Sequence, residues 1–233
     1  EGGENWARYS FLGSHPSVVF WLDIGEEVTQ RDRKQHRVPL LGNPLDHIRE
    51  TMAEYRPVVV PGLPRFVGGA VGYLGYDLVR LFEPIPSVAK EGSKTPLFAF
   101  CITDTLLIFD NVSHTVKVVA NAHIASTKKS QLRRTYQDAI DRIESIIAKL
   151  NKPRRRPSSS RRRMPLKFQS NMTSADFEKM VLRTKEYIQA GDIIQGVMSQ
   201  RWHTTIHTNP LEIYRALRVI NASPYMFYLR IAG

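Results

Sequence analysis

Two short groups of residues near the end of the chain have types and spacings that could do chemistry. Gln195 lies inside an apolar run that begins at Ile193, and an Asn, a Pro, a Tyr and a Met cluster within 221–226. A buried amide must be hydrogen-bonded, so Gln195 is either a structural residue or a group that holds a ligand or a water. The cluster is either a plain helix exit or the wall of a small amphipathic pocket. The residues alone leave both alternatives open.

Other catalytic and ligand-binding patterns are weak in this sequence. The stretch 68–77 is rich in glycine but lacks the G-x-G-x-x-G spacing, and no Lys-Ser/Thr pair follows it. Close packing of strands therefore explains it better than a phosphate cradle does. His203 and His207 are four residues apart but have no third ligand near them in the sequence, which disfavours zinc. No Ser/His/Asp, Cys/His or paired-carboxylate arrangement is evident.

The elements predicted to carry Gln195 and the 221–226 cluster alternate between helix and strand. Thr173 or its neighbour caps a helix that Gly191 ends, and a long strand follows over 193–205. Asn209 caps a second helix, with a proline at its first position, that runs to about residue 220. The chain then returns to a strand at residues 225 to 231.

The first 150 residues are predicted to consist mostly of strands. Strands are expected over 8–13, 17–24 and 66–76, and a hairpin pairs 98–109 with 114–120. Helices are expected from Asn43, as the cap, to about residue 55, and over 127–150, where apolar residues recur at helical spacing. The mixture predicts an α+β fold of layered antiparallel β-sheets with flanking helices.

The positive charge of the chain is concentrated in one segment. The 233 residues carry a formal net charge of +11, and eight of the basic residues lie within 152–167, where there is no acid. The segment 151–170 is therefore predicted to be a basic Arg/Ser linker between 1–150 and 171–233. A solvated spacer is favoured over a phosphate-binding or partner-docking arm. Nucleic-acid binding is disfavoured because no aromatic residue is interleaved for base stacking.

Composition also restricts the class of protein. No apolar run reaches the roughly 18 residues of a membrane helix, so no membrane association is expected. A single cysteine, Cys101, excludes an internal disulfide and fits a reducing compartment. The chain starts with Glu1 and its last residues stop in a strand-like run, which indicates an internal piece of a longer protein.

Several motifs together carry a resemblance to a known family. They are GDIIQGVMSQR at 191–201, LEIYRALR at 211–218, NASPYMFYL at 221–229, RYSFLG at 8–13 and GAVGYLGYD at 69–77. The chain resembles the chorismate-utilising enzymes, and within them it looks most like the large subunits (component I) of anthranilate synthases. The resemblance covers all of the chain except the linker and some loops.

This resemblance implies an activity and a set of partners. Such enzymes are lyases of tryptophan biosynthesis that aminate chorismate with ammonia and eliminate pyruvate to give anthranilate, using Mg²⁺. A glutamine amidotransferase subunit (component II) supplies the ammonia. Tryptophan inhibits allosterically at a site that would include Asn221, Pro224, Tyr225 and Met226, although Ala222 stands where the family usually has Pro. The implied location is the cytoplasm, or the plastid in a plant.

The resemblance also implies a catalytic assignment and its limits. Gln195 falls where relatives that form isochorismate carry a Lys base that activates water, and a Gln fits an enzyme whose nucleophile is ammonia. The Mg²⁺ ligands of the family lie in the carboxy-terminal half, so this amino-terminal fragment is expected to hold no metal ligand and to be inactive alone. The alternatives are the large subunit of aminodeoxychorismate synthase, or a non-catalytic tryptophan-binding fragment.

Overall fold

The chain forms two compact units. The structure, a computed structural model, describes residues 8–23, 26–31, 34–39, 42–43, 45–86, 95–153, 166–221 and 223–231. The larger unit comprises Glu1–Arg154 and Ile220–Gly233, and the smaller unit is Arg155–Val219. Most of the predicted linker lies at 154–165, outside the described residues. The domain boundaries predicted around it therefore stay a prediction.

The larger unit is built on two antiparallel sheets. Its strands are β1 (Tyr9–Gly13), β2 (Val18–Asp23), β3 (Glu26–Arg31), β4 (Lys34–Pro39), β5 (Gly69–Leu74), β6 (Phe98–Thr103), β7 (Thr105–Asp110) and β8 (Thr115–Ala120). One sheet has the order β4-β3-β2-β6-β5 and the other has the order β1-β7-β8. With flanking helices, this is the predicted α+β fold of layered antiparallel sheets.

The core of the larger unit lies on one face of the five-stranded sheet. Alternation along β2 directs Val18, Phe20 and Leu22 into that core, where Phe98 and Ile102 of β6 join them, all nearly inaccessible to solvent. Helix α1 (Asp46–Ala53) packs against β5, and helix α2 (Lys129–Leu150) packs against β8. A short 3₁₀ helix, Tyr76–Leu81, adds the buried Leu78 to the core.

Glycine allows β5 and β6 to approach each other closely. Gly72 is paired with Phe100, and a methyl group on Gly72 would lie 2.0 Å from the carbonyl oxygen of Ala99. At Gly68, φ is +150° and a methyl would lie 2.5 Å from Nδ2 of Asn121. The glycine stretch therefore serves close backbone packing, as predicted.

The predicted strand 98–109 is in fact two strands in different sheets. β6 ends at Thr103 and β7 starts at Thr105, and the chain leaves one sheet for the other at Asp104. Arg142 of α2 lies at this crossing, with its guanidinium 3.4 Å from the Asp104 carboxylate and 3.1 Å from Oγ1 of Thr105. The second half of the run does form the predicted hairpin, β7 with β8.

Two further expectations for the larger unit need correction. Asn43 is not the N-cap of α1, because Leu45 holds that position without a side-chain cap. The amide of Asn43 instead accepts a hydrogen bond from the Leu45 N–H at 3.0 Å, in the turn that precedes the helix. Strands β3 and β4 were not predicted, because their sequences are mostly polar and show little apolar alternation.

The smaller unit is mainly helical. It contains β9 (Gln169–Ser170), α3 (Ser174–Gln189), β10 (Trp202–His203) and α4 (Pro210–Ile220). The last residue of α4, Ile220, is assigned to the larger unit. The predicted strand over 193–205 is wrong except at β10, which pairs antiparallel with β9. A strand requires a partner for its backbone groups, and β9 offers only two residues. None of the described helices is both long and apolar enough to cross a membrane.

Candidate functional site

The end of α3 sets the direction in which the chain approaches Gln195. The Gly191 N–H donates to the Ile188 carbonyl at 3.1 Å, and the Asp192 N–H donates to the Tyr187 carbonyl at 3.0 Å. Gly191 has φ +81°. This bond pair around a left-handed glycine is a Schellman motif, which satisfies the last carbonyls of the helix and reverses the chain. The predicted helix stop at Gly191 is confirmed.

The segment that follows contacts α3 and presents Gln195 outward. A methyl group on Gly196 would lie 2.6 Å from Cγ2 of Thr184, so the backbone at Gly196 approaches this face of the helix closely. Gln195 is exposed, in an irregular segment rather than in a strand. Gln195 is therefore not a buried amide, and its role, structural or ligand-binding, stays a prediction.

His203, one of the two histidines singled out in the sequence, makes a side-chain contact near this segment. Nε2 of His203 is 2.8 Å from Oε1 of Gln169, across the β9–β10 pair. The Ser170 hydroxyl of β9 donates to Oε1 of Gln200, two residues before β10, at 3.1 Å. Within the described ranges, no three His, Cys, Asp or Glu side chains are grouped so as to hold a metal ion.

Helix α4 delivers the chain to the second group of candidate residues. Oδ1 of Asn209 accepts from the Leu211 N–H at 3.0 Å, and Pro210 occupies the first helical position, as predicted. The helix ends at Ile220, and the Asn221 carbonyl accepts from the Ser223 N–H at 2.9 Å in the turn that follows. This turn brings Asn221 and the residues after it into one short segment.

The inhibitor-site candidates differ in exposure. Asn221 and Pro224 are exposed, Tyr225 is 77% exposed, and Met226 is half-buried. The strand predicted for residues 225 to 231 is wrong, because these residues form no ladder in the structure. A polar backbone, an exposed ring and a thioether within one turn are groups that could contact an amphipathic ligand.

The end of this segment is anchored on the five-stranded sheet. Ile231 packs against Trp21 and Ala99, on the face opposite the main core, together with Val19 and Tyr73. The Tyr73 hydroxyl donates to the carbonyl of Pro96 at 3.0 Å, and burial raises the pKa of Tyr73. The anchor therefore combines apolar contact with a hydroxyl that stays protonated at neutral pH.

The candidate residues thus fall into two groups. Gln195 belongs to the smaller unit, whereas Asn221, Pro224, Tyr225 and Met226 belong to the larger unit.

Sequence reasoning missed Thr184, the buried residue against which the Gln195 segment packs. A glycine inside an apolar run, here Gly196, is the signal that could have indicated such a close approach.

Comparison with known proteins agrees with the motifs. The family described as "chorismate binding enzyme" matches residues 2–233. Anthranilate synthase component 1 of Acetivibrio thermocellus is 38% identical over 239 residues, which is 100% of this chain and 47% of that protein. Anthranilate synthase alpha subunit 2, chloroplastic, of Oryza sativa subsp. japonica is 33% identical, over 100% of this chain and 40% of that protein.

A solved structure gives the same result for the fold. Anthranilate synthase component I from Streptococcus pneumoniae TIGR4 superposes with a TM-score of 0.75 at 26% identity, over 94% of this chain and 47% of that chain. The chain therefore spans about half the length of the relatives it matches. Both the expected fold and the resemblance to component I are confirmed, and the chain belongs to the family of chorismate-binding enzymes.

Proposed function

We propose that the protein containing this chain is the large subunit of an anthranilate synthase. It converts chorismate and ammonia to anthranilate and pyruvate, with loss of water, in the biosynthesis of tryptophan. The observation that carries the proposal is the similarity over the whole chain to proteins named anthranilate synthase component 1. Since the chain spans about half of their length, the activity is assigned to the longer protein.

The chemistry of Gln195 supports ammonia as the nucleophile. A carboxamide donates and accepts hydrogen bonds but has no basic site that takes up a proton near neutral pH. It therefore cannot activate water as a general base, whereas neutral ammonia attacks without such help. The exposed amide can orient the attacking group by a hydrogen bond. This favours amination of chorismate over its hydroxylation.

Feedback inhibition by tryptophan is proposed for the turn after α4. Asn221 can supply polar contacts, Pro224 shapes the turn, and Tyr225 and Met226 can contact the indole ring. Two observations support this inhibitor site. Tyr225 is exposed, and Ile231, later in the same segment, packs against the five-stranded sheet.

The remaining parts of the proposal concern the whole enzyme. A glutamine amidotransferase subunit supplies the ammonia; the name component 1 of the relatives is in keeping with a partner component. Mg²⁺ is held by residues outside this chain, and residues 1–233 alone do not turn over chorismate. The location is the cytoplasm, or the plastid if the source is a plant, as the chloroplastic name of the rice relative suggests.

Genetic complementation tests the proposed function against its main competitor. The full-length gene is introduced into a bacterial strain that lacks the large subunit of anthranilate synthase, and into one that lacks the large subunit of aminodeoxychorismate synthase. Growth of the first strain without tryptophan is the expected result, and growth of only the second without p-aminobenzoate would overturn it. Purified residues 1–233, given chorismate, ammonium and Mg²⁺, should produce no anthranilate fluorescence.

A further inference from the structure

The backbone that carries Gln195 lies unusually close to α3. A methyl group on Gly196 would be 2.6 Å from Cγ2 of Thr184, well inside the ordinary contact distance. We propose that Thr184 and Gly196 form a complementary pair that positions Gln195. The Thr184 methyl fills the space a side chain at position 196 would need, and so fixes the path of the segment. The inference rests on the proposed role of Gln195.

The direction of the Thr184 methyl is fixed by the helix. Thr184 is 9% exposed, and its hydroxyl donates to the carbonyl of Met180 at 2.9 Å. A β-branched side chain in a helix has few χ1 options, and this hydrogen bond selects one of them. The methyl group is therefore directed at Gly196 and cannot rotate away without breaking the hydrogen bond.

The segment is held on both sides of Gln195. On one side, the Asp192 N–H is bonded to the Tyr187 carbonyl of the Schellman motif. On the other, the Gly196 backbone lies close against Thr184, because an added methyl there would be only 2.6 Å from Cγ2 of Thr184. Three residues connect these anchors, and Gln195 is the last of them. A shift at Gly196 is consequently transmitted to Gln195.

The size of the effect follows from the distances. Relieving the contact from 2.6 Å to about 3.4 Å moves the backbone at Gly196 by roughly 0.8 Å if Thr184 stays in place. A misplacement of about 1 Å at a reacting group can reduce a rate by up to about a hundredfold. We expect Gly196→Ala to lower the ammonia-dependent kcat by about tenfold to a hundredfold. The KM for ammonium should rise and the KM for chorismate should stay unchanged.

Paired substitutions in the full-length enzyme test the contact. Gly196→Ala is made in the native background and in two matched backgrounds. Thr184→Ser keeps the hydroxyl and removes the methyl, whereas Thr184→Val keeps a methyl in the same place and removes the hydroxyl. Gly196→Ala should be rescued in the Thr184→Ser background and remain damaging in the Thr184→Val background. An equal effect in all three backgrounds, or none in any, would overturn the pairing.

Two controls separate the possible failures. A loss of folded protein lowers the apparent kcat but leaves both KM values unchanged, and circular dichroism measures it directly. If Gly196→Ala alone does not fold, rescue by Thr184→Ser still decides whether the methyl is the cause. Gln195→Ala tests the proposed catalytic role of Gln195. Full ammonia-dependent activity in that variant would show that Gln195 does not orient the attacking ammonia. The measured coupling between Thr184 and Gly196 would stand independently of that result.

Discussion

Replacing Gly72 by alanine is expected to separate β5 from β6 and to destabilise the larger unit. The added methyl would lie 2.0 Å from the Ala99 carbonyl oxygen and 2.6 Å from Cα of Phe100, both backbone atoms that no side-chain rotation can move. Reaching a contact distance of about 3.4 Å requires a displacement of roughly 1.4 Å. That is about a third of the spacing between neighbouring strands, so the hydrogen bonds beside the Gly72–Phe100 pair would be lost.

The cost can be worked out from these contacts. Two ladder hydrogen bonds contribute about 1 kcal/mol each, and the disturbed packing of the adjacent core adds about 1 kcal/mol or more. We therefore expect the free energy of unfolding to fall by about 3 kcal/mol, a change of roughly 150-fold in the folded-to-unfolded ratio. Urea unfolding, followed by circular dichroism and by tryptophan fluorescence, measures this directly.

Gly13→Ala is the matched control. It adds the same methyl group to a strand, but the nearest atoms are side-chain methyls, Cδ2 of Leu106 at 3.2 Å and Cγ2 of Thr103 at 3.3 Å. These can yield by a few tenths of an ångström, so the cost should stay below about 1 kcal/mol. If Gly72→Ala costs no more than Gly13→Ala, the close approach of β5 to β6 is not what requires glycine at position 72.

Three further predictions address other parts of the chain. In the full-length enzyme, Tyr225→Ala should raise the inhibitory tryptophan concentration about tenfold while leaving uninhibited turnover intact, and an unchanged inhibition curve would contradict the proposed site. Thr173→Ala should destabilise the smaller unit by about 1 kcal/mol in urea, because the Thr173 hydroxyl accepts from the Asp176 N–H, whereas Thr173→Ser should retain the cap. The Arg8 guanidinium, with further hydrogen bonds from the following turn, holds the pKa of Asp110 well below its usual range. A depressed carboxyl pKa stabilises the fold above the unfolded value of about 3.9, and the stabilisation is lost as the pH falls below that value. Between about pH 5 and pH 2.5, the free energy of unfolding should therefore fall less in the Asp110→Asn variant than in the native chain, as measured by chemical denaturation at each pH. An equal fall in both proteins would contradict the depressed pKa of Asp110.

Local signals in the sequence predicted the helix boundaries of the smaller unit correctly. Thr173, Gly191 and Asn209 each act through hydrogen bonds to residues at most four positions away. The geometry of such caps is set by the neighbouring residues, so it can be predicted without knowledge of the tertiary fold.

Features that depend on distant partners could not be predicted in the same way. The run 193–205 has the composition of a strand, but only Trp202 and His203 find a ladder partner within the described chain. Asp104 interrupts an otherwise apolar run, but the change of sheet at this residue depends on the strand partners of β6 and β7, which are distant in the sequence. The hairpin of β3 and β4 is polar, and its pairing comes from the β2 edge rather than from its own pattern.

The candidate site was predicted in part. Gln195 and the 221–226 cluster were identified from their residue types and from the family resemblance. Gly196 lies close to Thr184, twelve positions earlier in the chain, and the only local signal of this approach is the glycine inside an apolar run.

The identity of the product tests the central claim most directly. The full-length enzyme is incubated with chorismate, Mg²⁺ and ¹⁵N-labelled ammonium, and the products are identified by mass spectrometry. The account predicts anthranilate that carries one ¹⁵N atom, together with an equal amount of pyruvate. Accumulation of aminodeoxychorismate without release of pyruvate, or of isochorismate without any label, would contradict it.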